Sequence, residues 1–331
     1  MNTYIILFLC AFALSVLIGY PLIKLLKKRK ANQTVLEYVE VHSAKNNTST
    51  MGGIMFILST ILTAALFLGG ECFLSVLSLA CMLGFGLIGF LDDFIKIKFK
   101  RNLGLTPWQK IIGQGGIALI IALFCYFSPV SFASFVPFSL VEFDLSFFII
   151  FIAFFVIIGT TNAVNLIDGL DGLCGKVSVV YLIAFGVILS IFADKIYALG
   201  YSVLTVEEAQ NLAKTCIILG GALFGFLVFN SGKASVFMGD VGSLAIGGFI
   251  SCASVLSGLW LYLPILGILY VITAISVIVQ VLYYKRTKKR VFLMAPLHHH
   301  FEKKGVSESK IVAIYSIISI IVALSCIYLT I

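Results

Sequence analysis

Charge is scarce in this chain. Asp, Glu, Lys and Arg make up only 11% of its 331 residues, against about 25% in a soluble domain. With 60% hydrophobic residues and a mean hydropathy of +1.11, too little polar surface exists to keep the remainder out of water. A soluble globular protein is excluded, and an integral membrane protein of many spans is expected. Paired cysteines are also missing. The eight cysteines stand singly at 10, 72, 81, 125, 174, 216, 252 and 326, with no CxxC or Cys/His spacing, so a zinc site is not indicated. Most lie in apolar runs and read as small apolar fillers. No soluble domain, low-complexity tract or internal repeat interrupts the chain. The first segment lacks the basic start of a signal peptide and ends in the cluster Lys24–Lys30, so it reads as a retained span.

Apolar stretches of about 20 residues place ten transmembrane helices in a single polytopic domain over 1–331. They lie near 3–25, 51–70, 73–92, 109–128, 146–163, 177–194, 210–230, 241–258, 260–284 and 310–330. The connections after spans 1, 3, 5, 7 and 9 then hold all but Lys195 and Lys214 of the 23 Lys and Arg. The positive-inside rule puts those connections in the cytoplasm and both termini on the external side. The net charge of +8 therefore speaks to orientation in a bilayer, not to nucleic acid.

Polar residues sort by side as well. The external connections carry scattered acids such as Glu71, Glu142 and Glu207, whereas the cytoplasmic ones carry clusters. Asp92 and Asp93 end an apolar run and are followed by Lys96, Lys98, Lys100 and Arg101. A carboxylate at bilayer depth costs roughly 2.5–3.5 kcal/mol on insertion scales, so an adjacent pair needs a compensating cation. The two side chains diverge by about 100° on a helix. They can serve a metal or phosphate and a lysine, or simply end a span as solvated carboxylates.

Asn162, Asn165, Asp168 and Asp171 recur every third residue, and Gly169 and Gly172 among them permit a tight loop whose amides can approach a ligand closely. Helical neighbours can cooperate on one ligand, and amides offer the donor and acceptor that a nucleobase or amide sugar requires. Four such groups in an apolar context are too many for capping alone. Asn230 and the string Phe237-Met-Gly-Asp240 share one connection. Asp240 suits a hard cation or could be the N-cap of span 8. Phe237 could stack on a base or belong to the core. His298, His299 and His300 are adjacent, which suits a transition metal less well than an i, i+4 pair. Among basic residues they could bind phosphate or pass a proton, or lie in a solvated loop.

The strings Thr48-Ser-Thr-Met-Gly-Gly53, Gly89-Phe-Leu-Asp-Asp-Phe-Ile-Lys96 and Asn162-Ala-Val-Asn-Leu-Ile-Asp-Gly-Leu-Asp-Gly172 together resemble the phospho-N-acetylmuramoyl-pentapeptide transferase family. Phe237-Met-Gly-Asp-Val-Gly-Ser243 and Val291-Phe-Leu-Met-Ala-Pro-Leu-His-His-His-Phe-Glu302 extend the likeness over nearly the whole chain. The last string is the most specific, because the wider family of polyprenyl-phosphate sugar-phosphate transferases usually lacks it. Departures fall in the first cytoplasmic loop, where Asn47-Thr-Ser-Thr50 replaces the usual Gly-Thr-Pro-Thr, and at Val241 and Val306.

The resemblance implies a multi-pass enzyme of the bacterial inner membrane, active at the cytoplasmic face and assembled as a homodimer. It would move phospho-N-acetylmuramoyl-pentapeptide from its UDP carrier to undecaprenyl phosphate within the lipid bilayer, releasing UMP. A Mg²⁺ ion would neutralise the phosphates, with Asp240 as its principal ligand. Asp92 or Asp93 would deprotonate or orient the lipid phosphate, and Lys96 would pair with phosphate. Asn162, Asn165, Asp168, Gly169, Leu170, Asp171, Asn230 and Phe237 would hold the uridine and sugar. Lys45, Thr50 and Ser243 would line the same cleft, and the three histidines would position donor phosphate or sugar. One-step displacement is favoured over an aspartyl-phosphate route, since no residue stands out as an activated nucleophile. The nearer rival is a relative using another sugar donor such as UDP-N-acetylglucosamine. The remoter one is a carrier of anionic lipid or nucleotide sugar, which would place paired charges at mid-span.

Overall fold

The computed structural model describes residues 2–29, 48–99, 104–128, 134–139, 141–199 and 206–331. Lys45, expected in the cleft, lies outside the described residues, as do Lys100 and Arg101. Each expected span is a helix. In chain order these are α1 (Asn2–Lys28), α2 (Gly53–Phe67), α3 (Phe73–Phe99), α4 (Pro107–Phe127), α5 (Phe148–Ile167), α6 (Leu173–Leu199), α7 (Val206–Asn230) and α8 (Gly239–Leu256). The short α9 (Tyr262–Leu266) precedes α10 (Ile268–Thr287), and the short α11 (Leu297–Lys303) precedes α12 (Glu308–Thr330). Helices satisfy their backbone groups internally, which is what an apolar solvent demands. The only sheet among the described residues joins β1 (Ser134–Phe135) to β2 (Glu142–Phe143), antiparallel, with Ser134 opposite Phe143.

Nine of these helices are long and apolar enough to cross a membrane, and α2 is a shorter apolar helix of 15 residues. At 1.5 Å per residue α2 spans about 22 Å, less than a hydrocarbon core of about 30 Å. The chain leaves it at Leu68, in extended conformation, short of the sequence-based limit at 70. Two other boundaries differ from expectation. α3 continues past the Asp92–Asp93 pair to Phe99, because Lys96 returns on the same helix face to meet both acids. The ninth span is broken at Gly267, which separates α9 from α10.

The bundle is built around α8. Of its residues 89% are buried inside the protein, against 22% in the most apolar stretches of α1 and α10. A helix apolar on every face, as α8 is over Leu244–Leu256, needs neighbours on every face. α3 and α5 pack along it, while α1 and α6 flank α7. Small residues allow the closest approaches. At Gly89 on α3 a Cβ would collide with the Asp240 backbone, and at Gly53 on α2 it would strike Gly242. Both contacts draw the start of α8 into the bundle end where the polar clusters lie.

Candidate active site

Three carboxylates meet at that end. One oxygen each from Asp92, Asp93 and Asp240 lies within 4.8 Å of the others, and among the described residues this is the one acidic group able to hold a metal ion. Gly89, one turn before Asp93, lets the first turn of α8 sit against α3. The left-handed Gly239 (φ 74°) then turns the chain into α8, where a side chain would strike the Asp93 carboxylate and the Thr50 hydroxyl. Asp92 Oδ1 accepts from Leu105 N at 2.9 Å, and Asp93 Oδ2 from Val241 N at 3.2 Å. The N-cap of α8 is Met238, not Asp240. Asp240 instead stands inside the helix and directs its carboxylate into the cluster.

Like charges about 4.8 Å apart repel by about 3.5 kcal/mol per pair at an effective dielectric of about 20, so the cluster needs cations. Two are present. Lys96 Nζ lies 2.9 Å from Asp240 Oδ2, is paired with Asp92 and reaches Asp93 at 3.9 Å. Lys110 Nζ lies 2.8 Å from the same Asp240 oxygen and 4.0 Å from Asp92. Three carboxyl groups face two ammonium groups, and the all-oxygen donor set fits a hard divalent cation.

Sequence reasoning missed Lys110, although a signal existed. Thr106-Pro107-x-Gln109 forms a capping box, with Gln109 N donating to Thr106 Oγ1 at 3.3 Å and Thr106 N to Gln109 Oε1 at 2.9 Å. This fixes the start of α4 and leaves Lys110 near a positive helix end, where a cation is disfavoured unless it has a partner.

The three-residue polar repeat divides at the end of α5. Asn165 Nδ2 donates to Asp240 Oδ1 at 2.7 Å and to Ser243 Oγ at 2.8 Å, so it belongs to the acidic cluster. Asn162 faces α4, donating to Gln114 Oε1 at 2.8 Å and to Ile158 O at 2.9 Å. Asp168 is the C-cap residue, and the chain from there to Gly172 is a loop, as Gly169 and Gly172 permit, so the helical spacing of the repeat does not carry through it. Burial, then the charges of Asp240 and Asp171, push the Asp168 carboxyl up to about 7. Leu170 is buried under the loop.

The neighbouring connection braces this loop. Gly172 N donates to Asn230 Oδ1 at 3.0 Å, Ala234 N to Asp171 Oδ2 at 3.0 Å, and Asn230 Nδ2 to Val236 O at 3.0 Å. The Thr48–Gly53 string runs parallel to Val236–Met238. Phe237 N donates to Ser49 O at 2.8 Å, and Gly52 N to Phe237 O at 2.8 Å. Thr50 is buried beside Gly239, and Phe237 is half-buried with no ring stacked on it among the described residues.

The histidines are helical and largely committed. Leu297 N donates to Ser276 Oγ at 3.1 Å, anchoring α11 on α10. His298 is fully buried, with neither ring nitrogen hydrogen-bonded among the described residues. Burial, then the adjacent His299, push its pKa down to about 3, so it is neutral. His299 Nδ1 lies 2.9 Å from Glu302 Oε2, and His300 Nδ1 accepts from Leu293 N at 3.0 Å. At Gly169 a Cβ would strike His298 Nε2 and come within 2.8 Å of His299 Nε2, so α11 packs directly on the 168–172 loop.

An apolar helical bundle with a lysine-paired acidic cluster at one end is the setting of a membrane transferase, and the glycosyl transferase family 4 model matches residues 74–258. Curated relatives narrow this further. The chain is 42% identical over 314 residues to the phospho-N-acetylmuramoyl-pentapeptide-transferase of Caldanaerobacter subterraneus subsp. tengcongensis, covering 95% of this chain and 94% of the relative. It is 41% identical to that of Clostridioides difficile strain 630 (95% and 94% covered) and 40% identical to that of Bacillus subtilis strain 168 (97% and 96%). The chain belongs to the phospho-N-acetylmuramoyl-pentapeptide-transferase family.

Proposed function

We propose that this enzyme transfers phospho-N-acetylmuramoyl-pentapeptide from UDP to undecaprenyl phosphate at the cytoplasmic face of the bacterial inner membrane, with both termini outside. The observation that carries the reading is the meeting of Asp92, Asp93 and Asp240 with Lys96 and Lys110 at one end of an apolar bundle. The acceptor is a lipid phosphate confined to the membrane surface and the donor is a cytosolic nucleotide, so the chemistry belongs where membrane and charge meet.

A lipid phosphate oxygen attacks the β-phosphorus of the donor, forming the new pyrophosphate bond. The bond from that phosphorus to the bridging oxygen breaks, and UMP departs with the electron pair. Several anions converge, so positioning and electrostatic neutralisation carry the rate. Asp240, with Asp92 or Asp93, would hold Mg²⁺, which when bound supplies charge neutralisation at the pyrophosphate. Lys96 and Lys110 add positive charge beside the reacting phosphates. Asn165 fixes the Asp240 carboxylate and Ser243 supports it. The 168–172 loop, Asn230 and Phe237 hold uridine and sugar, while α11 with its histidines backs that loop. Lipid phosphate is already largely ionised near neutral pH, so Asp92 and Asp93 orient it without serving as strong bases. A homodimer accompanies this reading, and native mass spectrometry in lipid tests it.

The deciding experiment supplies purified protein with UDP-N-acetylmuramoyl-pentapeptide and undecaprenyl phosphate, with Mg²⁺ or EDTA. Release of UMP that needs both substrates and Mg²⁺ is expected. Release only with UDP-N-acetylglucosamine would replace the donor, and substrate movement without UMP would replace enzyme by carrier.

A further inference from the structure

The 168–172 loop carries donor recognition in the reading above, yet as a loop it lacks the repeating hydrogen bonds of a helix. Its amides therefore need outside acceptors. Gly172 N finds Asn230 Oδ1 at 3.0 Å, on a residue the sequence had suggested for holding the donor itself. Asp171 N finds a different one. It donates to Glu308 Oε1 at 2.6 Å, across 137 residues of chain. A charge-assisted bond of this length belongs to the stronger class of hydrogen bonds.

Glu308 is the first residue of α12, after the N-cap Ser307. An acid there commonly serves its own helix, through the free amides or the positive helix end. Here the carboxylate reaches out of α12 to the loop backbone. The other face of Asp171 is engaged too, since its Oδ2 accepts from Ala234 N at 3.0 Å. Asp171 is thus pinned between α12 and the connection that carries Phe237.

The same part of the chain holds the loop a second time. Gly169 lies against His298 and His299 of α11, and only residues 304–307 separate α11 from α12. Leu297 to Glu308 therefore grips the loop at Gly169 and again at Asp171. None of these bonds involves Asp92, Asp93 or Asp240. The acidic cluster is tied to α5 through Asn165, a turn before the loop begins. Slackening Asp171 would disturb the donor-holding loop and leave the cluster intact.

We propose that Glu308 is a positioning residue that sets the Asp168–Gly172 loop for the uridine-nucleotide donor, an inference that rests on the transferase reading above. It acts through the backbone of Asp171 and does not touch the reacting atoms.

The test compares the full-length wild type with Glu308→Ala and Glu308→Gln in lipid nanodiscs. Amide hydrogen exchange over residues 165–173 is measured alongside UMP binding and steady-state kinetics. Gln keeps a carbonyl acceptor at the same reach and Ala removes it. In Glu308→Ala, exchange at the loop should rise at least tenfold. UMP affinity should fall and the donor KM should rise, each about tenfold. The kcat should stay within threefold, and the lipid-phosphate KM and the Mg²⁺ dependence should not change. Glu308→Gln should recover most of each loss. Unchanged loop exchange in Glu308→Ala would overturn the proposal, as would a Gln variant no better than Ala, or an equal rise in both KM values with a lowered melting temperature. Wild-type protein that releases no UMP would overturn the transferase reading, whereas wild-type turnover with an unchanged donor KM in Glu308→Ala overturns the positioning role alone.

Discussion

Lys110 Nζ approaches Asp240 Oδ2 to 2.8 Å, and Lys96 Nζ reaches that same oxygen at 2.9 Å. Two ammonium groups from different helices, α3 and α4, converge on a single carboxylate oxygen of a third, α8. The arrangement holds three acids together at one end of the bundle, where the proposed reaction would bring phosphates to both cations.

Replacing Asp240 with Asn keeps the volume and removes the charge. Turnover should fall by at least about a hundredfold, the scale of losing a main electrostatic contributor, with little change in melting temperature. UMP release at saturating Mg²⁺ measures this. Wild-type rates in Asp240→Asn would remove Asp240 from the role of metal ligand.

Lys110→Gln separates two effects of one charge. Without Lys110 the acidic cluster gains a net negative charge, so Mn²⁺ should bind the substrate-free protein more tightly, as read by electron paramagnetic resonance. Turnover should drop at least about tenfold, the rate equivalent of roughly 1.4 kcal/mol. Weaker Mn²⁺ binding in the variant would mean that Lys110 only maintains the fold of the cluster.

Phe237 is half-buried with no ring stacked on it among the described residues, and its backbone is hydrogen-bonded to Ser49 and Gly52 of the Thr48–Gly53 string. Stacking of a base on an aromatic ring contributes about 1–3 kcal/mol, so Phe237→Ala should weaken UMP binding by roughly fivefold or more. The KM for lipid phosphate should hold. Equal loss of both would identify Phe237 as a packing residue.

His298 is neutral when folded, its pKa pushed to about 3 from 6.5 by burial and then by His299. Below pH 6.5 the unfolded chain takes up a proton that the folded one refuses. The stability this histidine provides is complete above pH 6.5 and is lost as pH falls toward 3, at about 1.4 kcal/mol per pH unit. Melting temperatures at pH 7 and pH 5 should therefore differ more in the wild type than in His298→Gln. An equal fall in both would show that His298 is not the titrating group.

Much of this was legible in one dimension. Twenty-residue apolar runs can only be helices in a bilayer, so each expected span had its helix, with α2 shorter and the ninth broken at Gly267. Of the acids and amides singled out, Asp92, Asp93, Asp240 and Asn165 meet at one bundle end, while Asn162 turns to α4. The misreadings have a common cause. A period of three between Asn162 and Asp171 looks helical, yet α5 ends at Ile167 and the repeat splits between helix and loop. Lys110 and Glu308 were passed over because each sits among ordinary helix-start residues, and local sequence does not say which distant oxygen or amide a side chain meets.

Composition and the order of apolar and polar runs determined by themselves that this is a polytopic membrane protein with acids, amides and histidines at span ends. Those properties are set by transfer of each segment from water, a cost that sums locally along the chain. Which carboxylates share cations, which histidine is sealed from water and which glutamate leaves its own helix to hold Asp171 were decided only by tertiary packing. Gly53, Gly89 and Gly239 permit backbone approaches that bring the start of α8 to α2 and α3, so that Asp240 meets Lys96 from 144 positions away. Electrostatic and hydrogen-bond energies depend on those distances, and no local pattern contains them.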